Sequence, residues 1–596
     1  MDSTKKNIGK TVTFEIHSNG EVLSGELRVE KITVCHEVNR IGTAEIRLLC
    51  GDMPNSDVPE SASSDFVPGA EIKIYLGYES KIKEVFSGIV TSHRIRMPQR
   101  LQQPMLLIVE CKSHAVKTTF VRHNRVFQKK KDSEVISDVL GRSGLSVSVD
   151  ETNVKHDQMV QYYCTDWDFA LSRADASGLL VSTSGKKVNV FKPDFSVPEV
   201  TTVKYGYDLL SFDAKLLAES QSSMAECVGW SSSKQELVVS EVKAQATNAQ
   251  GNVSVSDLSK SLGVDKICLQ NEACYDPNIL KEWGASQLFK FELSRYQGSF
   301  SFYGSEKVMP GCLIRLEGMG DRFNGKVFVG RVTHTYKPGS WITEVGMGIS
   351  PANITQRTDV VAPPASGLLP GIEGLHVGTV HRLDEDPLSG FRIMVKVPIL
   401  NGKENMVWAR LSQFYASKGA GCHFVPSVGD EVILGFINND PNMAVVLGSL
   451  YSAKYPAIYD YDAENKKRAI VSPEKLTILL DDGSKMIRFQ TPDGNSIEIC
   501  DKDKHVLISD RNGNKVELSK DGISLKTSKI ISMEANEIKL NAQKNISVST
   551  KAGAVKVEGK DVDVKAKMNA KFSSSLSTEI SSSLNMTVKG ILVKIN

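Results

Sequence analysis

Residues 538–566 read IKLNAQKNISVSTKAGAVKVEGKDVDVKA, and the fold turns on how this stretch is understood. Apolar side chains fall at Ile538, Leu540 and Ala542, at Ile546 and Val548, at Val555 and Val557, and at Val562, Val564 and Ala566. Within each group the spacing is two, the period of a strand with one buried face, and the groups recur about every eight residues. A short repeat of this kind is the mark of a solenoid. The parity of the apolar positions is even from 538 to 548, switches after Gly553, returns to even at 562, and switches again after Gly590 to bring Ile591, Val593 and Ile595 into phase. One-residue slips beside glycine are the behaviour of β-bulges and tight corners.

The buried face is narrow, one or two residues per strand, and the opposite face is Lys, Asp, Asn, Ser and Thr. One copy cannot bury such a core or cap its edges. Two closures are open: one chain coiled into a parallel β-helix, or several chains wound together. Strands of four to six residues favour the second, since a single-chain helix needs coils of about 20 residues to close three faces. A three-faced prism is the smallest closed form. No helical pattern is visible from 473 to 596, the range assigned to this prism.

Upstream of the prism, 454–472 is a polar connector, and 374–453 is a block of short strands with turns at DEDPLSG and NNDP, the size of a small five-stranded barrel. The segment 360–373 is rich in Pro and Gly and reads as a linker. Residues 1–359 alternate with period two in stretches such as ELRVEKITV and GKVFVGRVTHTYK, which predicts two β-barrel units with helical insertions. Helices are expected at 132–145, at 166–180 with Asp166 or Asp168 as cap and Gly178 as terminator, and within 272–297. Residues 52–66 read as a loop. The fold class is therefore mainly β.

A length of 596 residues predicts three to five domains. The apolar share is 41% and the charged share 24%, as in globular proteins, which excludes wholesale disorder. Lys plus Arg number 72 against 70 Asp plus Glu, so no overall field draws nucleic acid or an anionic membrane. The N-terminal stretch MDSTKKNIGKTVTF has no secretory apolar region, and no run of eighteen apolar residues occurs. The ten cysteines contain no CxxC and read as thiols of a reducing compartment.

Residues 374–453 resemble the OB-fold block of the VgrG spike proteins of type VI secretion. The matching features are Asp386-Pro387, Arg392 to Val397, Trp408-Ala409-Arg410, Pro426 with Gly429-Asp430-Glu431-Val432, and Asp440-Pro441 before Val445-Val446-Leu447-Gly448. Val160-Gln161-Tyr162, Asp166, Phe169 and Gly178 resemble the hub shared with contractile phage tails; 310–318 and 323–343 resemble its second barrel, and 512–546 the start of the trimeric prism.

The resemblance implies a homotrimeric, non-enzymatic spike without cofactor or metal. It is assembled in the cytoplasm and secreted by the apparatus without a signal peptide. Its two barrels per protomer would match a hexameric Hcp-type tube ring at the N-terminal base. A PAAR-type cone protein would cover the far end, at Ile591, Leu592, Val593 and Ile595. Baseplate and effector proteins are further partners, contact with the target membrane is transient, and nucleic acid is not a partner. With only 454–472 between barrel and prism, and strand-like sequence up to Asn596, the resemblance implies a spike without lysozyme or toxin domain. The alternatives are the hub-spike of a phage or extracellular injection particle and a tail-associated cell-wall hydrolase.

Catalytic patterns are otherwise thin. GLLVSTSGKK (178–187) has the wrong spacing for a phosphate loop and reads as a hairpin; GMGDRFNG (318–325) reads as a turn. Asp384, Glu385 and Asp386 form a carboxylate cluster best explained as a solvated turn. His334 and His381 are expected on the surface of strands, and the neighbours Cys35-His36 and Cys422-His423 are poorly disposed to share a zinc ion. Trp408 and Arg410 are of a type that stacks bases, but no basic stripe accompanies them. Residues 541–596 carry nine lysines against four acids, a solvated face that also blocks edge pairing.

Overall fold

The computed structural model describes all residues except 1–6, 8, 24–26, 100–103, 246–249, 275, 401–404 and 596. Most of the N-terminal stretch MDSTKKNI, and one residue of the helix expected in 272–297, thus lie outside the described residues. The chain divides into two compact units, Met1–Leu450 and Tyr451–Asn596.

In the first unit, the alternating stretches form one thirteen-stranded sheet. Strands Val12–Ser18, Val29–Glu37, Thr43–Leu49, Glu71–Tyr78, Lys81–Arg96 and Leu106–Lys112 enclose a core of Ile32, Val34, Ile46, Leu48, Ile72, Ile74 and Leu107. Strands Tyr296–Tyr303, Leu313–Glu317, Gly325–Lys337 and Ser340–Met347 enclose a second core around Phe300, Phe302, Ile314 and Val327. Both phenylalanines are fully buried, each worth about 1.5–3 kcal/mol relative to exposure. The two β units are not separate bodies. Val29–Glu37 pairs antiparallel with Gly325–Lys337 from Tyr336↔Ile32 to Arg331↔Glu37, and Tyr336 and Trp341 of the C-terminal of these β units sit in the core of the N-terminal one.

Helices fill the insertions. Asp132–Gly141 and Asp166–Ala176 pack Val135, Ile136, Val139, Trp167, Phe169 and Leu171 into one core. The second of these is capped by Thr165, whose hydroxyl accepts from the Asp168 amide, and not by either aspartate. Pro277–Ser294 lies on a small sheet, Met224–Ser231 with Glu236–Lys243 and Lys266–Asn271. It touches the sheet at Gly284, where a Cβ would come within 2.6 Å of Cys227 Sγ. The sequence pattern did not indicate the helix Val255–Leu262, which carries a Ser254/Asp257 capping box and ends at Gly263 in the left-handed region.

Strands His376–Arg382, Arg392–Lys396, Met406–Leu411, Ala444–Ser449 and Glu431–Phe436 close into a barrel around Val380, Val395, Ala409, Val432, Leu434 and Val446. Closure needs one parallel pair, Arg410↔Val445 and Leu411↔Val446. Residues 360–373 hold only one short turn, Pro364–Gly367.

The second unit opens with a seven-stranded antiparallel meander: Lys467–Val471, Thr477–Asp481, Met486–Gln490, Ser496–Cys500, His505–Ser509, Lys515–Ser519 and Gly522–Lys526. Four of its six turns use Asp-Gly or Asn-Gly, with Gly494 at φ +86° and Gly513 at φ +85°. Asp510 fixes one turn by accepting the amides of Asn512 and Asn514.

Candidate functional site

Strict alternation in the meander sends two side chains per strand to one face. The cross-strand register joins them into two columns. One runs Ile470, Ile478, Phe489, Ile497, Ile508, Val516, Leu525; the other runs Leu480, Ile487, Ile499, Val506, Leu518, Ile523. Nearly all of these are classed as exposed within the single chain, so a continuous apolar ladder of seven strands lies uncovered. A surface of this extent exceeds what a lone soluble sheet presents.

The opposite face is mixed, with Ala469, Leu479 and Leu507 in one column with Arg488, Glu498 and Glu517. The buried Glu498 accepts from Arg488 Nε at 2.7 Å and bonds His505 Nε2 at 3.0 Å. Burial alone would raise its carboxyl, but these two hydrogen bonds outweigh burial and hold it below the ordinary glutamate value. Ser496 and Ser509 pair hydroxyls across neighbouring strands at 2.9 Å.

Beyond Lys526 the apolar pairs continue at Ile538/Leu540, Ile546/Val548, Val555/Val557 and Val562/Val564, all exposed within the chain. The residues expected at the tip, Ile591, Leu592, Val593 and Ile595, are exposed as well. The meander columns at 470–525 went unnoticed in the sequence. The signal was there: Asp-Gly or Asn-Gly between five-residue apolar alternations.

The other candidates resolve as structure. Asp386 does not face an open site: it accepts the amides of Leu388, Gly390 and Arg392 and the Arg392 Nε at 3.0 Å. The Arg392 hydrogen bond, with those amides, holds its carboxyl far below the ordinary range. The guanidinium groups of Arg382 and Arg392 stand over the Trp408 ring, 5.9 and 5.7 Å from its centroid. Residues 180–191 form an antiparallel hairpin turning at Gly185. His381 is exposed. His334 is not on a surface: it is 1% exposed, its Nδ1 paired with Thr343 Oγ1 at 3.0 Å, because it lies on the buried face of its strand with Val332 and Tyr336, while Thr333 and Thr335 on the other face are half-buried. His36, on the adjoining strand, donates to the Val85 carbonyl at 2.9 Å. Among the described residues no group of three or more His, Cys, Asp or Glu is placed to hold a metal ion, and no helix is long and apolar enough to cross a membrane.

Known proteins bear on this geometry at three places in the chain. Residues 8–337 match the Alg8 N-terminal domain family, 376–451 the type VI secretion system/phage-baseplate injector OB domain, and 486–567 the phage baseplate V C-terminal trimerisation domain. The type VI secretion system spike protein VgrG1a of Pseudomonas aeruginosa is 32% identical over 63 residues, 11% of this chain and 10% of that protein. VgrG3 of Vibrio cholerae is 30% identical over 116 residues, 18% of this chain and 11% of that protein. The matched stretches thus span about a tenth of those relatives' length. Among solved structures, the E. coli c3393 protein, a component of the type VI secretion system, aligns over 73% of this chain and 99% of its own, with TM-score 0.37 and 12% identity. Since the first family model takes in more than half of the chain, the chain belongs to the Alg8 N-terminal domain family; its later residues match the injector OB domain and then the baseplate V trimerisation domain.

Proposed function

We propose that the protein is a homotrimeric puncturing spike at the tip of a contractile type VI secretion tube. The observation that carries this is the uncovered apolar ladder of the meander, continued by the apolar pairs to residue 564. Three copies of a one-sided apolar sheet, turned inward, form a closed prism in which every ladder faces another. Such a shaft resists bending, and it unfolds slowly because its chains must separate together. The base of each protomer carries two β units on one sheet, so a trimer offers six to a hexameric tube ring of the Hcp type. The far end, with Ile591, Leu592, Val593 and Ile595, receives a cone protein of the PAAR type, and effectors ride with it. The role is mechanical, without catalysis. The protein assembles in the cytoplasm and leaves with the injected tube. The relatives described above are secretion spikes, which favours a secretion apparatus over a phage particle.

Solution mass by light scattering, with and without heating in detergent, tests the reading. The expected species is three times the 65.3 kDa chain mass and survives detergent until heated. A folded monomer would remove the prism and the function built on it.

A further inference from the structure

Beside the seam that joins the two β units, the first unit holds a cleft of about 580 Å3, within the size range of ligand sites. Its floor is the apolar Val38, Met347 and Ile349 with the backbone of Gly330, Gly346 and Gly348. The glycines bring backbones too close for side chains: a Cβ on Gly330 would lie 2.0 Å from the Gly348 carbonyl oxygen, and one on Gly348 2.3 Å from that of Tyr296. The floor is therefore closed by the chain's own backbone, and the cleft lies above it.

Four cations line this floor, Arg40, Arg331, Arg357 and Lys290, against the two acids Glu37 and Asp175. Asp175 is consumed internally, holding Lys290 Nζ at 3.0 Å and accepting the Ile354 amide at 3.2 Å. Glu37 meets Arg40 at 3.2 Å in a solvent-exposed pair that exchanges easily. Arg331 follows a register shift in its strand and reaches Glu344 through Nη2, but its Nε is buried without a hydrogen-bond partner. A buried unpaired donor is costly unless something occupies it. The Arg357 side chain makes no ion pair among the described residues. These cations come from four separate stretches of chain, the 37–40 strand end, the helix Pro277–Ser294, the 330–331 irregularity and the 354–357 turn.

We propose that this cleft binds an acidic, extended peptide segment of a partner protein, with its carboxylates taken by the arginine forks of Arg331, Arg357 and Arg40 and its apolar side chains laid against Val38, Met347 and Ile349. Arginine is suited to paired carboxylate recognition. Cations spread around an apolar floor match repeated carboxylates with apolar spacing better than one compact anion.

The test uses the full chain and a fluorescein-labelled hexaglutamate peptide, read by fluorescence anisotropy. Saturable binding with one peptide per chain is expected, weakening steeply with salt, at least tenfold weaker in Arg357→Ala and in Arg331→Gln, and unchanged in Lys129→Ala, a lysine that does not line the cleft. Arg357 holds no ion pair, so its variant remains folded and decides the matter even if Arg331→Gln does not fold. Binding that ignores Arg357→Ala, or no saturable binding, would overturn the proposal. So would competition by citrate as strong as that by unlabelled peptide at equal carboxylate concentration, which would make the site one for a small organic acid.

Discussion

Asp132 ties three elements together through one carboxyl. Its Oδ1 accepts from Arg173 Nε at 2.6 Å, and its Oδ2 from Arg173 Nη2 at 3.0 Å and Ser177 Oγ at 2.9 Å, with His156 Nε2 at 3.0 Å. Burial pushes this carboxyl up, but His156 and Arg173 outweigh burial and hold it at about 2. Asp132→Asn should therefore cost about 3–5 kcal/mol in denaturant unfolding of the first unit, since it strands a partly buried arginine. Its ionised form contributes stability above the unfolded value of 3.8 and loses it as pH falls toward 2. The imidazoles at the seam behave differently. His36 lies opposite Val332 and His334 opposite Val34, so the rings are diagonal neighbours on one buried face. Burial lowers both, His334 to about 3. Above pH 6.5 neither folded nor unfolded chain is charged there; below it the unfolded chain takes up protons that the folded one refuses. For His334 stability should fall by up to about 1.4 kcal/mol per pH unit as pH drops from 6.5 toward 3, and His36 adds a loss of the same sign. Urea midpoints from pH 7 to 5 should fall in the wild type and fall less in His334→Phe. Sequence placed His334 in a strand but did not assign it to the buried face that it shares with Val332 and Tyr336.

At the scale of elements, alternation is a local property and was readable wherever one face meets solvent. The helices at Asp132–Gly141 and Asp166–Ala176 were legible from apolar spacing. The cap was not, because Asp166 is drawn away by Gln161 Nε2, at 2.8 Å, leaving Thr165 to hold the first turn. Val255–Leu262 escaped because eight residues give too few repeats to reveal a period; Ser254 and Gly263 were its only marks. The apolar columns of the meander depend on register, which turns set and alternation alone does not. They make a sharp demand on Phe489, which sits between Ile478 and Ile497. Phe489→Glu places a charge in the middle of the ladder. The expected result is loss of the trimer by light scattering, with the unfolding midpoint of the first unit unchanged; a trimer of full mass would show that the ladder is not the contact.

For the molecule as a whole, the mainly β class and the closed five-stranded barrel follow from short-range pattern. The merging of the two hub units into one sheet does not, since pairing of residues about 300 positions apart leaves no local trace. The exposed end gives the whole-molecule prediction: removal of 591–596 should abolish capture of the cone protein in a pull-down while the trimer mass persists. Retention of the cone would move its site elsewhere. The meander has one more consequence. Every strand bonds only to its neighbours in sequence and adds about 4.8 Å along the stacking direction. Deleting one strand would reverse the direction of all that follows, whereas deleting a hairpin restores it and leaves the columns continuous. Shaft length can therefore be gained or lost in steps of about 10 Å by duplication or excision of single hairpins, so that reach is an inheritable quantity adjusted without redesign of base or tip.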